Sequence, residues 1–446
     1  MKTKLINILL LLFIGFGVNA QGFDEAEPIY TLNGFAGGSY FGLSKSFDIS
    51  SAYGEFGLQA SGQKGNARFV SDLRVRSGSF FGETKTIIQL KEAFAEYSSN
   101  YFDISIGKMI VKYGKATSFN PTDNVCPKDY FFLSTDIEDM QMSNFMLKTN
   151  VKPANWLNIE LLAIPFFTPS IYRYELFDMD IMAGVDVSFD QYELPEVSFE
   201  NMSFSARIGA EFSFADISLT GFHGYDPFYG FRVKDIDFVP PMSVSLVNQA
   251  AFYKKNSLGL NLSIPAGSWL ITGEAAFNHT EDYKNNIYIP NPDLYYVAGI
   301  EKDVFGIKII GEYIGRYVFD FEKATSPSLP QNLLDPLVFG NYLNSMVAFE
   351  TGKFNQKIFN QYYQTNHAAM VTFHKDFFYE TLTGDLSLYY NFTTEEKLLR
   401  AAVKWKLSDE LAISGGGQFM NGPKETIYDF AGSIMSGVFL SMKYSF

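Results

Sequence analysis

The feature that most limits what this chain can become is a period-two alternation of apolar and polar side chains, returning in segments of about ten residues. In residues 201–212, Met202, Phe204, Ala206, Ile208, Ala210 and Phe212 share one face, while Ser203, Ser205, Arg207, Gly209 and Glu211 share the other. In 66–76, Ala67, Phe69, Ser71, Leu73 and Val75 oppose Arg68, Val70, Asp72, Arg74 and Arg76. In 396–407, Leu399, Ala401, Val403 and Trp405 oppose Arg400, Ala402, Lys404 and Lys406. Cations placed so regularly are costly to bury in a soluble core. A sheet closed on itself, with lipid outside and water inside, accommodates both faces.

Eighteen such segments are read, at 29–41, 50–60, 66–76, 86–97, 101–114, 140–150, 155–165, 201–212, 215–225, 257–264, 268–278, 294–302, 304–316, 367–376, 380–391, 396–407, 409–420 and 436–446. The expectation is an all-β, antiparallel, up-and-down transmembrane barrel of about 18 strands, 16 to 20 if one hairpin is lost or gained. Short connections (98–100, 151–154, 213–214, 265–267, Asp303, Ser408) alternate with long ones (115–139, 166–200, 226–256, 317–366), as tight periplasmic turns and extracellular loops would. The last of these, with Pro327, Pro330 and Pro336, is compatible with a short helix or an extra hairpin.

Composition agrees. Of 446 residues, 17% are aromatic, including 45 Phe and 27 Tyr, more than a soluble core uses and what a lipid-facing surface takes up. The formal charge of −14 argues against nucleic acid as a partner. Lys2 and Lys4, an apolar run over 6–18 and Val18-Asn19-Ala20 have the pattern of a signal peptide at 1–20, leaving one barrel domain at 21–446. That run is shorter than the roughly 20 residues of a membrane helix. The single Cys126 can form no intramolecular disulfide. Trp269 and Trp405 fall where a periplasmic aromatic girdle is expected, whereas Trp156 has the opposite parity.

The face assignment sends Arg68, Arg74, Arg76, Lys108, Lys112, Arg207, Lys308, Arg316, Arg400, Lys404, Lys406 and Lys443 inward, with Asp72, Glu92, Glu96, Glu160, Glu211, Glu274, Glu312 and Asp385. A mildly basic lumen favours anionic solutes; the same charges are equally compatible with a wall that only pairs with itself. In 101–114 the apolar parity changes at Gly107, read as a bulge that turns Lys108 and Lys112 inward. Beyond it, Asn120, Pro121 and Asp123 are turn formers in a loop that either narrows the pore or stays outside.

Ile106-Gly107-Lys108, Tyr113-Gly114 and Asn120-Pro121-Thr122-Asp123 resemble the G-R-Q, W-G and N-P-x-D pattern of a family of porin-like outer-membrane barrels, with Lys108 in place of Arg and Tyr113 in place of Trp. Leu90-Lys91-Glu92-Ala93-Phe94, the run from Gly221 to Pro227 and Gly273-Glu274-Ala275-Ala276-Phe277 look like that family as well. The resemblance implies passive uptake through a narrowed pore. The final strand, Val438, Leu440, Met442, Tyr444 and Phe446 on one face, resembles the signal by which Gram-negative outer-membrane barrels meet their assembly machinery.

The expected function is therefore an outer-membrane channel of a Gram-negative bacterium for small hydrophilic solutes, embedded in outer-membrane lipid, with no cofactor and no metal; homo-oligomerisation is left open. The alternatives are a receptor or adhesin with a plugged lumen and a barrel hydrolase. Only His223, His279, His367 and His374 exist, and no H-E-x-x-H or G-x-S-x-G accompanies them, so no enzyme is expected. His367 and His374 with Glu380 are the one conceivable metal set. Only 21–28 precede the first strand, so neither a globular plug nor an amino-terminal hatch is expected.

Overall fold

The computed structural model describes residues 29–44, 48–117, 119–176, 185–239 and 243–446. The signal-peptide reading at 1–20 lies outside them. In chain order the strands are β1 (Ile29–Leu43), β2 (Ile49–Lys64), β3 (Ala67–Phe80), β4 (Glu83–Ser98), β5 (Phe102–Met109), β6 (Asn144–Ala154), β7 (Leu157–Ile164), β8 (Val185–Asp190), β9 (Ser203–Glu211), β10 (Asp216–Tyr225) and β11 (Gly230–Val239). There follow β12 (Ser243–Ala251), β13 (Lys254–Ala266), β14 (Trp269–Thr280), β15 (Asp293–Val304), β16 (Ile307–Val318), α1 (Pro336–Ile358), β17 (Thr365–Phe377), β18 (Leu382–Asn391), β19 (Lys397–Lys406), β20 (Leu411–Asn421), α2 (Ile427–Met435) and β21 (Gly437–Ser445).

All but β8, β11 and β12 form one 18-stranded antiparallel sheet, closed where β1 pairs with β21. Backbone bonds of 2.8 Å in both directions between Gly34 and Phe446 complete the seam. Closure leaves no strand edge to be satisfied in lipid. Each of the eighteen expected strands corresponds to one strand of this barrel. The outward parity is the apolar one, with Phe56, Ile88, Ile106, Leu161, Ile208, Leu258, Val403 and Leu440 all exposed. Trp269 and Trp405 stand outward at the short-turn end; Trp156 lies in a turn, where strand parity does not apply, and stacks on Phe212 at 5.8 Å.

Several expectations are corrected. The fifth strand stops at Met109, not 114, and its register with β4 and β6 runs through Gly107 without a shift. Even positions face out and odd ones in throughout; Met109, Val111 and Tyr113 broke the pattern only because a loop covers them with apolar side chains. The bulge lies on β4 instead, where Asp72 pairs with Glu92 and Leu73 with Leu90, leaving Lys91 as the extra residue. Asp303 is no turn: it pairs with Lys308, and Phe305-Gly306 turns the chain with φ of 54° and 72°. The turn read at 151–154 is strand up to Ala154, which pairs with Leu157.

The longest excursion contains a helix, not a hairpin. Asp335 caps α1 by accepting from the Leu337 amide, Pro336 fits its first turn, and Asn360, at φ 56°, ends it. α2 was missed: Thr426 caps it after Gly422-Pro423, which reads as plain loop. Also unforeseen is the small sheet of β8, β11 and β12, whose β8–β12 pair is parallel.

Gly107 is needed for a different reason from a bulge. Its φ is +138°, and a Cβ there would come within 2.3 Å of the Ala93 carbonyl oxygen. Gly107→Ala is expected to destabilise the barrel by about 2 kcal/mol or more, read as a lower urea midpoint of the heat-modifiable band. An unchanged midpoint would show that the backbone relaxes there.

Candidate functional site: a loop folded through the lumen

The segment between β5 and β6 does not stay at the long-loop end. It touches inner-face side chains of strands around the whole circumference, which only a chain lying inside the barrel can do. Tyr113 donates its hydroxyl to Glu160 on β7 at 2.7 Å, and Asn124 reaches Ser257 on β13 at 3.2 Å. Phe119 packs against Tyr389 on β18 at 5.4 Å, Arg400 on β19 donates to the Thr135 carbonyl at 2.8 Å, and Thr135 meets Ser441 on β21 at 3.0 Å. Tyr53 on β2 donates to the Leu133 carbonyl at 3.1 Å.

Two carboxylates moor this loop. Glu274 on β14, 3% exposed, accepts from the amides of Lys115 (3.0 Å), Ala116 (3.2 Å) and Thr122 (2.8 Å), and from the Thr122 hydroxyl (2.8 Å). Glu312 on β16 accepts from the Thr117 amide. Gly114 makes the approach possible, because a Cβ there would lie 2.7 Å from Glu274 Oε2. The turn formers act within the loop. Asn120 donates to the Tyr113 carbonyl at 3.3 Å, Pro121 supplies a carbonyl to Asn124, and the buried Asp123 pairs with Lys128 at 2.9 Å.

The far end of the loop is held by a charge network. Asp139 accepts from Arg74 on β3 at 2.8 Å and from Lys91 on β4 at 3.0 Å. Arg74 also grips Asp72, and Arg76 bonds Glu55 at 2.9 Å and Gln89 at 2.7 Å while lying 4.3 Å over the Phe132 ring. Burial works against the Asp139 carboxylate, but Lys91, Ser134 and Arg74 outweigh it and bring its pKa down to about 2. On the loop's underside, Cys126 is buried with Met109, Val111 and Met146, and burial pushes its thiol up to about 12, which makes it a packing residue.

The remaining expected residues are distributed as follows. Arg68 faces inward opposite Glu96, and Arg207 stands opposite Glu160 with its guanidinium 5.9 Å from the Tyr113 ring. Lys308 pairs with Glu301 at 3.4 Å near the short-turn end; Arg316 bonds Asp293 at 2.8 Å and lies 4.6 Å over Tyr295. Lys108 sits opposite Ala93 and Phe145, on the parity of Ile104 and Ile106, and Lys112 lies past the end of β5. The inward turn expected of these two lysines came from the bulge that Gly107 does not form. Arg400 lies 5.1 Å from the Phe439 ring, Lys443 is 3.9 Å from the Phe35 ring, and Lys404 is exposed between Thr383 and Ser414. Among the described residues, none of these last three is paired with a carboxylate.

Glu55, Lys91, Asp139 and Asp293 were missed. Lys91 is out of phase with its strand because of the bulge, and Asp139 has no periodic neighbour to mark it. His367 meets Tyr313 on the outer face and His374 meets Asp385 on the inner face, so the conceivable metal set does not converge. Over the outer mouth, Phe131 and Leu133 of the loop join Tyr174, Tyr229, Phe231, α1 Phe354 and α2 Met435 in one apolar cluster with Phe41 and Phe439 of the wall.

Fold and site together define a closed 18-stranded barrel constricted from within by one of its own loops. Solved structures similar to the chain share the barrel fold. The Pseudomonas aeruginosa protein OpdK matches with a TM-score of 0.55 and 9% identity over 95% of this chain and 100% of that one. OccK5 (OpdH) from the same organism matches at 0.53 and 10%, over 95% and 99%. A BenF-like porin from Pseudomonas fluorescens Pf-5 matches at 0.52 and 11%, over 95% and 99%. At such identities the likeness is one of fold. No family model matches the chain, and no curated protein does.

Proposed function

We propose that the protein is a diffusion channel of the outer membrane of a Gram-negative bacterium, selective for small anionic solutes. One observation carries the reading. The loop is moored to Glu274 on β14 and Glu312 on β16, while the arc from β19 through β21, five to seven strands on from β14, carries Arg400, Lys404 and Lys443, none of which makes a salt bridge among the described residues. Cations that no carboxylate neutralises at a constriction between low-dielectric walls concentrate anions there. Phe35 and Phe439 beside Lys443 and Arg400 add apolar faces to the cationic groups, a combination suited to organic carboxylates. OpdK, 8% identical, has been solved with vanillate, which supports this choice of solute class.

The test is single-channel recording of the folded protein in a planar bilayer under a salt gradient. The reversal potential is expected to show anion preference, and Arg400→Glu, Lys404→Glu and Lys443→Glu together are expected to shift the anion-to-cation permeability ratio about tenfold toward cations. An unchanged ratio would remove the three residues from the conduction path. Silence from an inserted barrel would turn the apolar cluster over the mouth from a vestibule wall into a plug, and the protein into a surface receptor.

A further inference from the structure

The lipid-facing wall is not uniformly convex. Across β6, β7, β9, β10, β13 and β14 it carries a groove of about 660 Å³. Its floor is Ala163, Ala206 and Gly221, and Leu161, Leu258 and Phe277 rise beside it. A Cβ on Gly221 would meet nothing within 4 Å, and its φ is not in the left-handed region, so neither the backbone nor packing within the chain calls for glycine there. The missing side chain serves the groove.

One end of the groove is polar. His223, Asn256 and His279 stand side by side in a single cross-strand row, His223 paired with Asn256 and Asn256 with His279, and His223 Nδ1 lies 2.7 Å from Asn256 Oδ1. One step nearer the loops, on the same outward parity, Lys254 pairs with Tyr225. Along β14 the row lies ten residues from the girdle residue Trp269, about 34 Å of strand. At a tilt of about 40° that projects to about 26 Å, the height of a barrel's apolar band. The imidazoles and the ammonium therefore stand at the membrane boundary on the loop side, where lipid headgroups lie, and the apolar groove runs from them toward the bilayer centre.

We propose that this groove binds one membrane lipid, its acyl chain along the floor over Ala206 and Gly221 and its phosphate headgroup at His223, His279 and Lys254. The Lys254 ammonium and the His279 N–H are donors, and His223, whose Nδ1–H is taken by Asn256 Oδ1, offers a second donor at Nε2 as an imidazolium, so the headgroup they suit is anionic and rich in acceptors. The inference rests on the barrel standing in a membrane and not on its conducting any solute.

The test is native mass spectrometry of the delipidated, detergent-folded full chain titrated with phosphatidylglycerol or with phosphatidylcholine. A single tightly held phosphatidylglycerol is expected, with at least tenfold weaker retention of phosphatidylcholine. Gly221→Phe, which fills the floor from a position with room for a side chain, is expected to weaken retention of the first lipid about tenfold at unchanged conductance. His223→Gln with Lys254→Gln is expected to lose the headgroup preference while keeping the acyl chain. Equal retention by wild type and Gly221→Phe would overturn the site. So would a chain that appears as a dimer dispersed by Gly221→Phe, since a second copy would then fill the groove. A silent channel that still holds phosphatidylglycerol would leave this inference standing and sink only the proposed function.

Discussion

Replacing Glu274 by alanine is expected to raise single-channel conductance several-fold. The carboxylate is the loop's principal mooring, with three backbone amides and one hydroxyl donating to its two oxygens from a site almost without solvent. Hydrogen bonds to a charged acceptor contribute about 1.5–3 kcal/mol each, and the amides left behind are buried donors without a partner. Even the low end of that range, summed over the group, exceeds about 4 kcal/mol, enough to move a docked loop to a released one. Conductance steps and exclusion of large sugars measure the opening directly. Glu274→Gln, which keeps an acceptor oxygen, is expected to fall between wild type and Glu274→Ala. Unchanged steps in a correctly inserted Glu274→Ala barrel would mean that the loop holds its place through Glu312 and the apolar contacts alone.

The second large effect lies at the loop's other attachment. Asp139→Asn is expected to destabilise the docked loop by about 3 kcal/mol, because Lys91 loses its one salt-bridge partner among the described residues while largely buried, and Arg74, still held by Asp72, faces a neutral amide. The pH dependence has a definite sign. The Asp139 carboxyl is depressed to about 2 in the folded protein against 3.8 as a free group, so its contribution is fully present above about pH 4 and is lost as pH falls through 2. Wild-type current noise is therefore expected to stay low down to about pH 3 and to rise below it. Asp139→Asn is expected to be noisy at every pH. Acid sensitivity identical in the two proteins would place the titrating group elsewhere.

Both predictions concern residues that differ in how far the sequence marks them. Glu274 occupies an inner-parity position of a regular strand, so its inward direction follows from the side-chain period of two, although nothing nearby says that it receives amides from residues more than 150 positions away. Asp139 follows a stretch with no period at all. Lys91 looks misplaced in its strand until the bulge opposite Asp72 and Leu73 is seen. The eighteen wall strands were legible because each carries its own local signal: lipid on one side and water on the other impose alternation on every strand independently. The bulge read at Gly107 failed on the same physics. Loop side chains replaced water on the inner face of β5, so apolar residues appeared where a lumen was expected to be polar, and an unbroken register looked broken.

The sequence alone determined the barrel, its strand number to within one hairpin, and the inward parity of Arg74, Arg76, Glu274, Arg316 and Arg400, because alternation is a local property enforced residue by residue. Only the tertiary structure decided that the 115–139 segment lies in the lumen, that Glu274 and Glu312 moor it, and which cations make no salt bridge among the described residues. It also decided the small sheet and helices over the mouth. Those outcomes depend on contacts between distant segments, in which one carboxylate accepts several backbone amides or two cations share one acid, and such pairings leave no period in the chain that makes them.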